Sequence, residues 1–279
     1  MRASDPEVYA DLHTHTTCSD GVLAPEALVA RVAIRDVQVL AVTDHDTVEG
    51  LAEARRAAEE RGLHFVPGIE VSATVEGEEV HLLAYGVDPS DAALVAHLRD
   101  IQAAREERAW AMVERLRGQG LEIEDEALEQ KIAGTHAVGR PHVAAVLKEA
   151  GHVDTMGAAF ERYIGNEGPA YVPKPDFPAA QALHVIQGAG GIGVLAHPGH
   201  WTPRAQIRQL VNVGLDGIEI WHPAHDASLQ GYYRRLARGY ELMETGGSDF
   251  HGRAEKDDRA LGAVGMDEDA WERFRVATA

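Results

Sequence analysis

The sequence predicts an α/β fold in which parallel strands alternate with helices and a helical segment interrupts the alternation. Two observations carry this prediction. Short runs rich in Val, Ile and Leu alternate with longer amphipathic stretches early and late in the chain. Between them, residues 95–175 contain long helical patterns and no convincing strand. We therefore expect one α/β domain made of residues 1–94 and 176–279, with a helical insertion domain at 95–175.

The early part of the chain follows this alternation element by element. A strand-like segment at residues 8–10 comes first. A strand within 37–43, a helix within 47–62 and a strand within 63–72 follow it, and residues 73–87 have a hairpin-like pattern. These elements are strand, strand, helix, strand and hairpin, as expected for the first units of a β/α fold.

The rest of the chain resumes the alternation after the insertion. The insertion itself has an amphipathic helical pattern at 95–120 and shorter ones at 140–151 and 155–165, and it returns through a proline-rich linker at 171–180. Helices and strands then alternate in three pairs. The predicted helices are 178–191, 202–214 and 228–240. The strands predicted to follow them are within 192–199, 216–223 and 241–252.

The composition excludes several classes of protein. With 279 residues, 45% of them hydrophobic, the chain can bury a sizeable core, and it has neither a membrane-length apolar run nor a signal-peptide core, so we expect a cytoplasmic protein. The formal net charge of -19 argues against general affinity for long nucleic acid or anionic lipid. The single cysteine, Cys18, excludes an internal disulfide and a cysteine-based zinc site, so His, Asp and Glu must hold any metal.

Histidines and carboxylates recur where the predicted strands end. His13 and His15 lie two residues apart on an extended segment, so both side chains point to the same side and can hold one ion. The carboxyl ends of parallel strands meet on one face, which lets side chains from distant segments converge. The candidate metal ligands are His13, His15, Asp20, His45, Glu70, His81, His197, Asp249 and His251.

A purely structural role is the alternative to metal binding for these histidines and carboxylates. An isolated histidine near a strand end is more often a hydrogen-bonded core residue than a ligand. Nine such side chains close together would be costly to bury without cations, so the joint pattern favours metal binding. Six imidazoles and three carboxylates without a thiolate suit Zn, Mn or Fe. Asp44, beside His45, is expected to orient an imidazole.

In this order, the segments DLHTHTTCSDG, AVTDHDTVEG, PGIEVS, VHLLAYG, LAHPG and GSDFHG resemble the polymerase and histidinol phosphatase (PHP) family of metal-dependent phosphoesterases. The resemblance spans nearly the whole chain. It implies a distorted, TIM-like barrel of seven β/α units that binds two to three divalent metal ions. It assigns no ligand role to His222 or His225, which are expected to lie behind the ligands or to face solvent.

The resemblance also divides the nine ligands among the metal ions. One ion is assigned His13, His15, Glu70 and Asp249, the second shares Glu70 with His81 and His197, and the third has Asp20, His45 and His251. Three divalent ions and three carboxylates would give the pocket a formal charge of +3, which attracts phosphate. The hypothesis is that these nine catalytic residues support in-line attack by a metal-bridging hydroxide on phosphorus, without a phosphoenzyme.

The insertion is expected to select the substrate. Arg140 and His142 flank Pro141 at a helix start, where guanidinium, imidazole and backbone N–H groups can bind an anion, and Lys174 is the next candidate. The segments GRPH and YVPK resemble the nucleotide and oligoribonucleotide phosphoesterases of the family. That subgroup implies a nucleoside 3′,5′-bisphosphate 3′-phosphatase or a 5′-3′ exoribonuclease acting on short RNA.

Alternatives stay open at this point. The same ligand set could serve a histidinol phosphate phosphatase, a non-catalytic metal-binding domain, or a proofreading module bound to a polymerase. The acidic composition favours a small phosphorylated substrate over long nucleic acid or a membrane partner. The sequence leaves the metal identity, the leaving-group acid and the oligomeric state open.

Overall fold

The computed structural model describes residues 8–200 and 202–277. Its strands form a single seven-stranded sheet, in chain order from β1 to β7. The strands are β1 (Ala10–Asp11), β2 (Val39–Val42), β3 (His64–Val75), β4 (Glu78–Tyr85), β5 (Ile192–Leu195), β6 (Gly217–Trp221) and β7 (Met243–Gly246).

The sheet curls into a nearly closed barrel. Strands β1 to β3 are parallel, as are β5 to β7. The two edges meet where the backbone N–H of Leu12 donates to Gly246 O at 3.1 Å and that of His15 donates to Phe250 O at 2.9 Å. These bonds bring the chain after β1 beside the chain after β7, and the predicted distorted barrel is confirmed.

The purely parallel alternation is interrupted at β4. This strand pairs antiparallel with both β3 and β5. A tight turn at Glu76 and Gly77 joins β3 to β4, and both residues have positive φ, which the two central positions of such a hairpin turn require. The hairpin-like pattern at 73–87 therefore corresponds to a true hairpin, which reverses the chain inside the barrel wall.

Helices follow most strands and bury one apolar face. The helices are α1 (Pro25–Ala33), α2 (Leu51–Glu60), α3 (Ala92–Arg117), α4 (Asp125–Ile132), α5 (Arg140–Glu149), α6 (Met156–Ala159), α7 (Ala179–Gly188), α8 (Arg204–Asn212), α9 (Ala227–Tyr240), α10 (Glu255–Ala260) and α11 (Glu268–Ala277), with a π-helical turn at Phe160–Ile164. In α9, the Asp226 carboxylate accepts from Leu229 N at 2.9 Å and caps the first turn, and Glu241 ends the helix in the left-handed region.

The chain forms two compact units. The barrel unit comprises Met1–Leu98 and Phe177–Ala279, and the helical unit comprises Arg99–Asp176. The helical unit has its own core, in which Met112, Leu116, Val143 and Leu147 are buried, and none of its residues lies in a strand. Among the described residues, no helix combines the length and the apolar character that crossing a membrane requires.

Candidate metal centre

Seven of the nine predicted ligands follow strands of the barrel unit, and the other two lie within strands. His13, His15 and Asp20 follow β1, and His45 follows β2. Glu70 and His81 lie within the hairpin strands, where Ser72 is the register partner of His81. The chain beyond β5 supplies His197, and the chain beyond β7 supplies Asp249 and His251. The barrel topology therefore brings together side chains as far apart in the chain as His13 and His251.

All nine side chains fall into four overlapping groups whose nitrogen and oxygen atoms lie within 4.8 Å of one another. The groups are His15, Asp20, His45 and His251; His13, His15 and Asp249; His13, Glu70 and His197; and His45, Glu70 and His81. We refer to these nine residues as the candidate metal centre. His15 joins two of the groups, one containing Asp20 and the other containing Asp249.

Glu70 occupies the middle of the candidate metal centre. Its side chain is buried, and five imidazole rings surround its two oxygens. Oε2 has three ring nitrogens at 3.2 to 3.3 Å, and Oε1 has two at 2.8 Å. The five rings belong to His13, His15, His45, His81 and His197. One carboxylate thus links most of the imidazoles of the centre.

The two aspartates lie on the outer parts of the centre. Asp249 Oδ1 is 3.3 Å from Nε2 of both His13 and His15. Asp20 Oδ1 is 3.2 Å from Nε2 of His251 and 3.8 Å from Nδ1 of His15. The carboxylates and imidazoles therefore alternate through the centre, an arrangement that can place anionic and neutral ligands around a cation.

The buried nitrogens test whether these residues fit metal ions. Neither ring nitrogen of His15 has a hydrogen-bond partner among the described residues, although the ring is fully buried. Nδ1 of His45 likewise has none. Burying polar atoms without partners is costly, and imidazole nitrogens beside carboxylate oxygens are the donor set that divalent transition ions accept. The cluster is therefore able to bind metal ions.

Burial and charge act in opposite directions on the pKa values of these groups. Burial lowers the pKa of His15, but the carboxylates of Asp249 and Glu70, 3.3 and 3.2 Å from Nε2, outweigh it and raise the pKa to about 10. For His81, burial also lowers the pKa, and the Glu70 charge raises it to about 9. Burial dominates at His45, whose pKa falls to about 3. Despite burial, the surrounding imidazoles hold the pKa of Glu70 well below its usual value.

Glu219 is a site residue that the sequence did not identify. It is fully buried on β6, where Oε1 accepts from His13 Nδ1 at 3.0 Å and Oε2 accepts from the backbone N–H of His197 at 2.7 Å. One carboxylate therefore orients the His13 ring and fixes the loop that carries His197. The only signal in the sequence is an acidic residue inside the apolar run GIEIW.

Asp44 has a different role from the predicted one. Its carboxylate accepts from Thr16 N at 2.7 Å, Thr16 Oγ1 at 2.5 Å and Ser19 Oγ at 2.5 Å, and no imidazole in the described part of the chain hydrogen-bonds to it. The expectation that Asp44 orients a histidine ring is therefore wrong. These bonds instead shape the segment between His15 and Asp20, two residues of the centre.

His222 and His225 lie next to the centre and are buried. Nε2 of His222 is 3.2 Å from Asp249 Oδ2. Nε2 of His225 accepts from Gly199 N at 3.2 Å and its Nδ1 donates to Ile220 O at 2.9 Å, which fixes a neutral tautomer. Burial lowers the pKa of His225 and favours the same neutral form.

Two ligands of the centre have unusual backbone conformations. The backbone φ is 24° at His197 and 51° at Asp249, which is the positive-φ region that residues other than glycine seldom occupy. Gly247, two residues before Asp249, is packed so closely that a Cβ there would lie 2.3 Å from His13 N. Close packing at Gly247 thus holds the chain after β7 against His13, and the surrounding structure sustains the strained backbone at His197 and Asp249.

The predicted substrate contacts lie in or next to helices of the helical unit. Arg140 Nη1 donates to Asn166 Oδ1 at 2.8 Å, and its guanidinium lies 5.6 Å from the Phe160 ring centroid. The ring of His142 accepts from Gly139 N at 3.1 Å and so caps α5. Lys174 is exposed. Within their own unit, Arg140 and His142 therefore have structural contacts, which sequence alone did not reveal.

The chain resembles proteins of known name over most of its length. It is 35% identical over 247 residues to a 5′-3′ exoribonuclease of Haemophilus influenzae, covering 86% of this chain and 89% of that one. It is also 35% identical over 250 residues to a 3′,5′-nucleoside bisphosphate phosphatase of Chromobacterium violaceum, covering 88% of each. The structure of a protein assigned as a metal-dependent phosphoesterase from Bifidobacterium adolescentis superposes with a TM-score of 0.83, at 32% identity and 96% coverage of both chains.

A family model confirms the relationship that these comparisons indicate. The PHP domain model matches residues 11–156, which include six of the nine residues of the centre. The relatives and the solved structure extend the match across both units. The chain belongs to the PHP domain family and is a metal-dependent phosphoesterase that hydrolyses phosphoester bonds.

Proposed function

We propose that this enzyme removes a phosphate from a small nucleotide, as a nucleoside 3′,5′-bisphosphate 3′-phosphatase or as a 5′-3′ exoribonuclease on short RNA. The observation that carries the proposal is the cluster of six imidazoles and three carboxylates in one place. The names of the relatives from Haemophilus influenzae and Chromobacterium violaceum support the choice of a nucleotide substrate. The net charge of -19 favours short substrates over long RNA.

We assign the nine residues of the centre as metal ligands for two to three divalent ions, Zn, Mn or Fe. The geometry supports shared ligands, because Glu70 and His15 each belong to two groups. Divalent ions in such a site activate water and neutralise phosphoryl oxygens. The remaining contribution comes from the protein itself, which must hold the ligand side chains in position.

The chain supplies this support through a few buried contacts. Glu219 orients His13, and His222 contacts Oδ2 of Asp249. Because Glu219 accepts from Nδ1 of His13, it leaves Nε2 of that ring directed at Glu70 and Asp249. The ligand atoms are thus set before any substrate arrives, which lowers the cost of ordering the site.

Metal loading should release protons. In the ion-free protein nearby carboxylates raise the pKa of His13 well above its usual value and those of His15 and His81 to about 10 and about 9, so these three imidazoles are protonated near neutral pH. Since a ligating imidazole must be neutral, loading at about pH 7 should release about three protons per molecule, and metal affinity should rise with pH. The protons on His15 and His81 stabilise the ion-free fold below pH 6.5, and that contribution is lost as pH rises through about 9 and 10.

Isothermal titration with Zn²⁺ or Mn²⁺ in buffers of different ionisation enthalpy measures the protons directly. The observed heat should vary linearly with buffer enthalpy, with a slope that gives the number released. A titration in the presence of excess chelator is the control for dilution heats. The same heat in every buffer would contradict the protonation states proposed for the ion-free centre.

We keep Arg140, His142 and Lys174 as proposed substrate contacts. Arg140→Ala should raise KM for a nucleoside 3′,5′-bisphosphate by about tenfold or more, because it removes a charge-assisted hydrogen bond to phosphate. KM for p-nitrophenyl phosphate, which has no second phosphate, should change much less. Steady-state kinetics on both substrates, with Arg162→Ala in the same unit as the control, make the comparison. Equal effects on both substrates would remove Arg140 from the binding site.

The proposed function itself is tested by a substrate panel. Purified protein loaded with Mn²⁺ or Zn²⁺ should hydrolyse adenosine 3′,5′-bisphosphate or a 5′-phosphorylated trinucleotide far faster than histidinol phosphate. Protein stripped of metal should lose this activity and regain it on reloading. Preference for histidinol phosphate would favour that alternative, and activity retained without metal would contradict the proposed mechanism.

A further inference from the structure

A cavity of about 320 Å³ in the barrel unit opens beside the candidate metal centre. Its polar lining consists of Asp249 of the centre, its neighbours His222 and Ser248, and Lys256 and Asp257. Pro223, Ala224 and Ala260 add an apolar part to the same wall. The volume lies at the lower end of the range for small-molecule sites, and only Asp249 of the nine residues of the centre lines it.

Lys256 is the second residue of α10, and three acidic residues of this helix could neutralise it. Each of them has another partner. Glu255 lies 3.8 Å from the Arg259 guanidinium, and Asp258 is 2.7 Å from that of Arg31. Asp257 accepts from the backbone N–H of Arg253 at 2.9 Å and of Ala254 at 3.3 Å, so it caps the helix.

Lys256 differs from Arg253, a second cationic residue next to the centre, in whether a carboxylate compensates its charge. The Arg253 guanidinium lies 2.9 Å from Asp20 Oδ2 and also donates to Asp20 O, so its charge is already compensated. Lys256 makes no hydrogen bond or ion pair with any residue in the described part of the chain. The exposed Lys256 shares the cavity with the carboxylates of Asp249 and Asp257, but Asp257 accepts from the backbone at the start of α10 and Asp249 contacts imidazoles of the centre. The ammonium group of Lys256 is therefore able to bind an anion from solution.

The position of the cavity indicates which kind of anion Lys256 would bind. Asp249 is within 3.3 Å of two imidazoles of the centre and 3.2 Å from His222, and it also lines the cavity. The cavity therefore adjoins the centre at Asp249. A scissile phosphate belongs at the centre itself. We propose that Lys256 binds a second anionic group of the substrate, a phosphate or phosphodiester next to the scissile ester, and so contributes to specificity. This inference rests on the proposed function.

The test compares two substrates on four proteins. Wild type, Lys256→Gln, Lys256→Arg and Arg259→Gln are assayed with adenosine 3′,5′-bisphosphate and with p-nitrophenyl phosphate. Arg259 is a matched control because it lies on α10, carries the same charge and pairs only with Glu255 among the described residues. Lys256→Gln should raise KM for the bisphosphate about ten- to a hundredfold with little change in kcat.

The other proteins and substrate separate specificity from damage to the fold. KM for p-nitrophenyl phosphate should stay unchanged in Lys256→Gln, Lys256→Arg should restore most of the affinity for the bisphosphate, and Arg259→Gln should resemble wild type. If Lys256→Gln matches Arg259→Gln, or weakens both substrates equally, the assignment of Lys256 is overturned while the proposed function stands. If wild type fails to hydrolyse the bisphosphate and short RNA, the proposed function and this inference are both overturned.

Discussion

Replacing Glu70 by glutamine should reduce kcat by about a thousandfold or more, because it removes the carboxylate that links five imidazoles of the centre. Glutamine has nearly the same shape, so loss of charge is the main change. The amide also presents an N–H₂ group to imidazoles that need an acceptor or a cation. Metal content measured by elemental analysis should fall together with kcat.

Glu79→Gln is the matched control for this change. Its carboxylate lies 3.2 Å from Nε2 of His81, so it contacts the same ring as Glu70, but it is far more exposed and belongs to none of the four groups. Circular dichroism should show the same helix content for both variants. Wild-type metal content and activity in Glu70→Gln would remove this residue from the ligand set.

The second large effect is expected at Glu219. Glutamine cannot accept both from His13 Nδ1 and from the backbone N–H of His197, since only one of its two terminal atoms is an acceptor. A buried donor therefore loses its partner. Glu219→Gln should weaken metal binding by about 10- to 100-fold, in line with other groups that orient a ligating histidine. Excess metal should restore much of the activity.

Competition against a chelating dye gives the metal affinity of both proteins. Glu244→Gln is the control, because Glu244 lies on the neighbouring strand and pairs with Arg234 at 3.1 Å, outside the centre. The His13 ring should also change its protonation behaviour in the ion-free variant. If Glu219→Gln binds metal as tightly as wild type, the contact between Glu219 and His13 has no role in metal binding.

The sequence predicted the alternation of strands and helices better than their limits. The helix expected within 47–62 begins at Leu51, because Thr47 Oγ1 accepts from Glu49 N at 3.2 Å and forms a turn before it. The strand expected within 241–252 ends at Gly246, where the chain turns and packs against His13. Such limits depend on hydrogen bonds and close contacts that an apolar pattern does not encode.

Only those site residues could be predicted whose side-chain type and position near a predicted strand end indicate metal binding. Histidines and carboxylates at strand ends indicated the nine residues of the centre. Glu219 could not be found in this way, because its partner His13 is 206 residues away and all four residues from Gly217 to Ile220 are buried. The role of Asp44 was mistaken for the same reason, since its neighbour in sequence is a histidine but its partners are Thr16 and Ser19.

The hairpin strand β4 has a consequence for how this enzyme can diversify. β4 pairs directly with β5, with Tyr85 opposite Ile192, and Asp88 N donates to Ala189 O at 2.9 Å. The rings of His97 and Phe177, on either side of the helical unit in the chain, are 6.2 Å apart. A segment whose ends already meet can be shortened, lengthened or exchanged during evolution at little entropic cost. A change in the length or sequence of the helical unit therefore need not alter the pairing of the barrel strands.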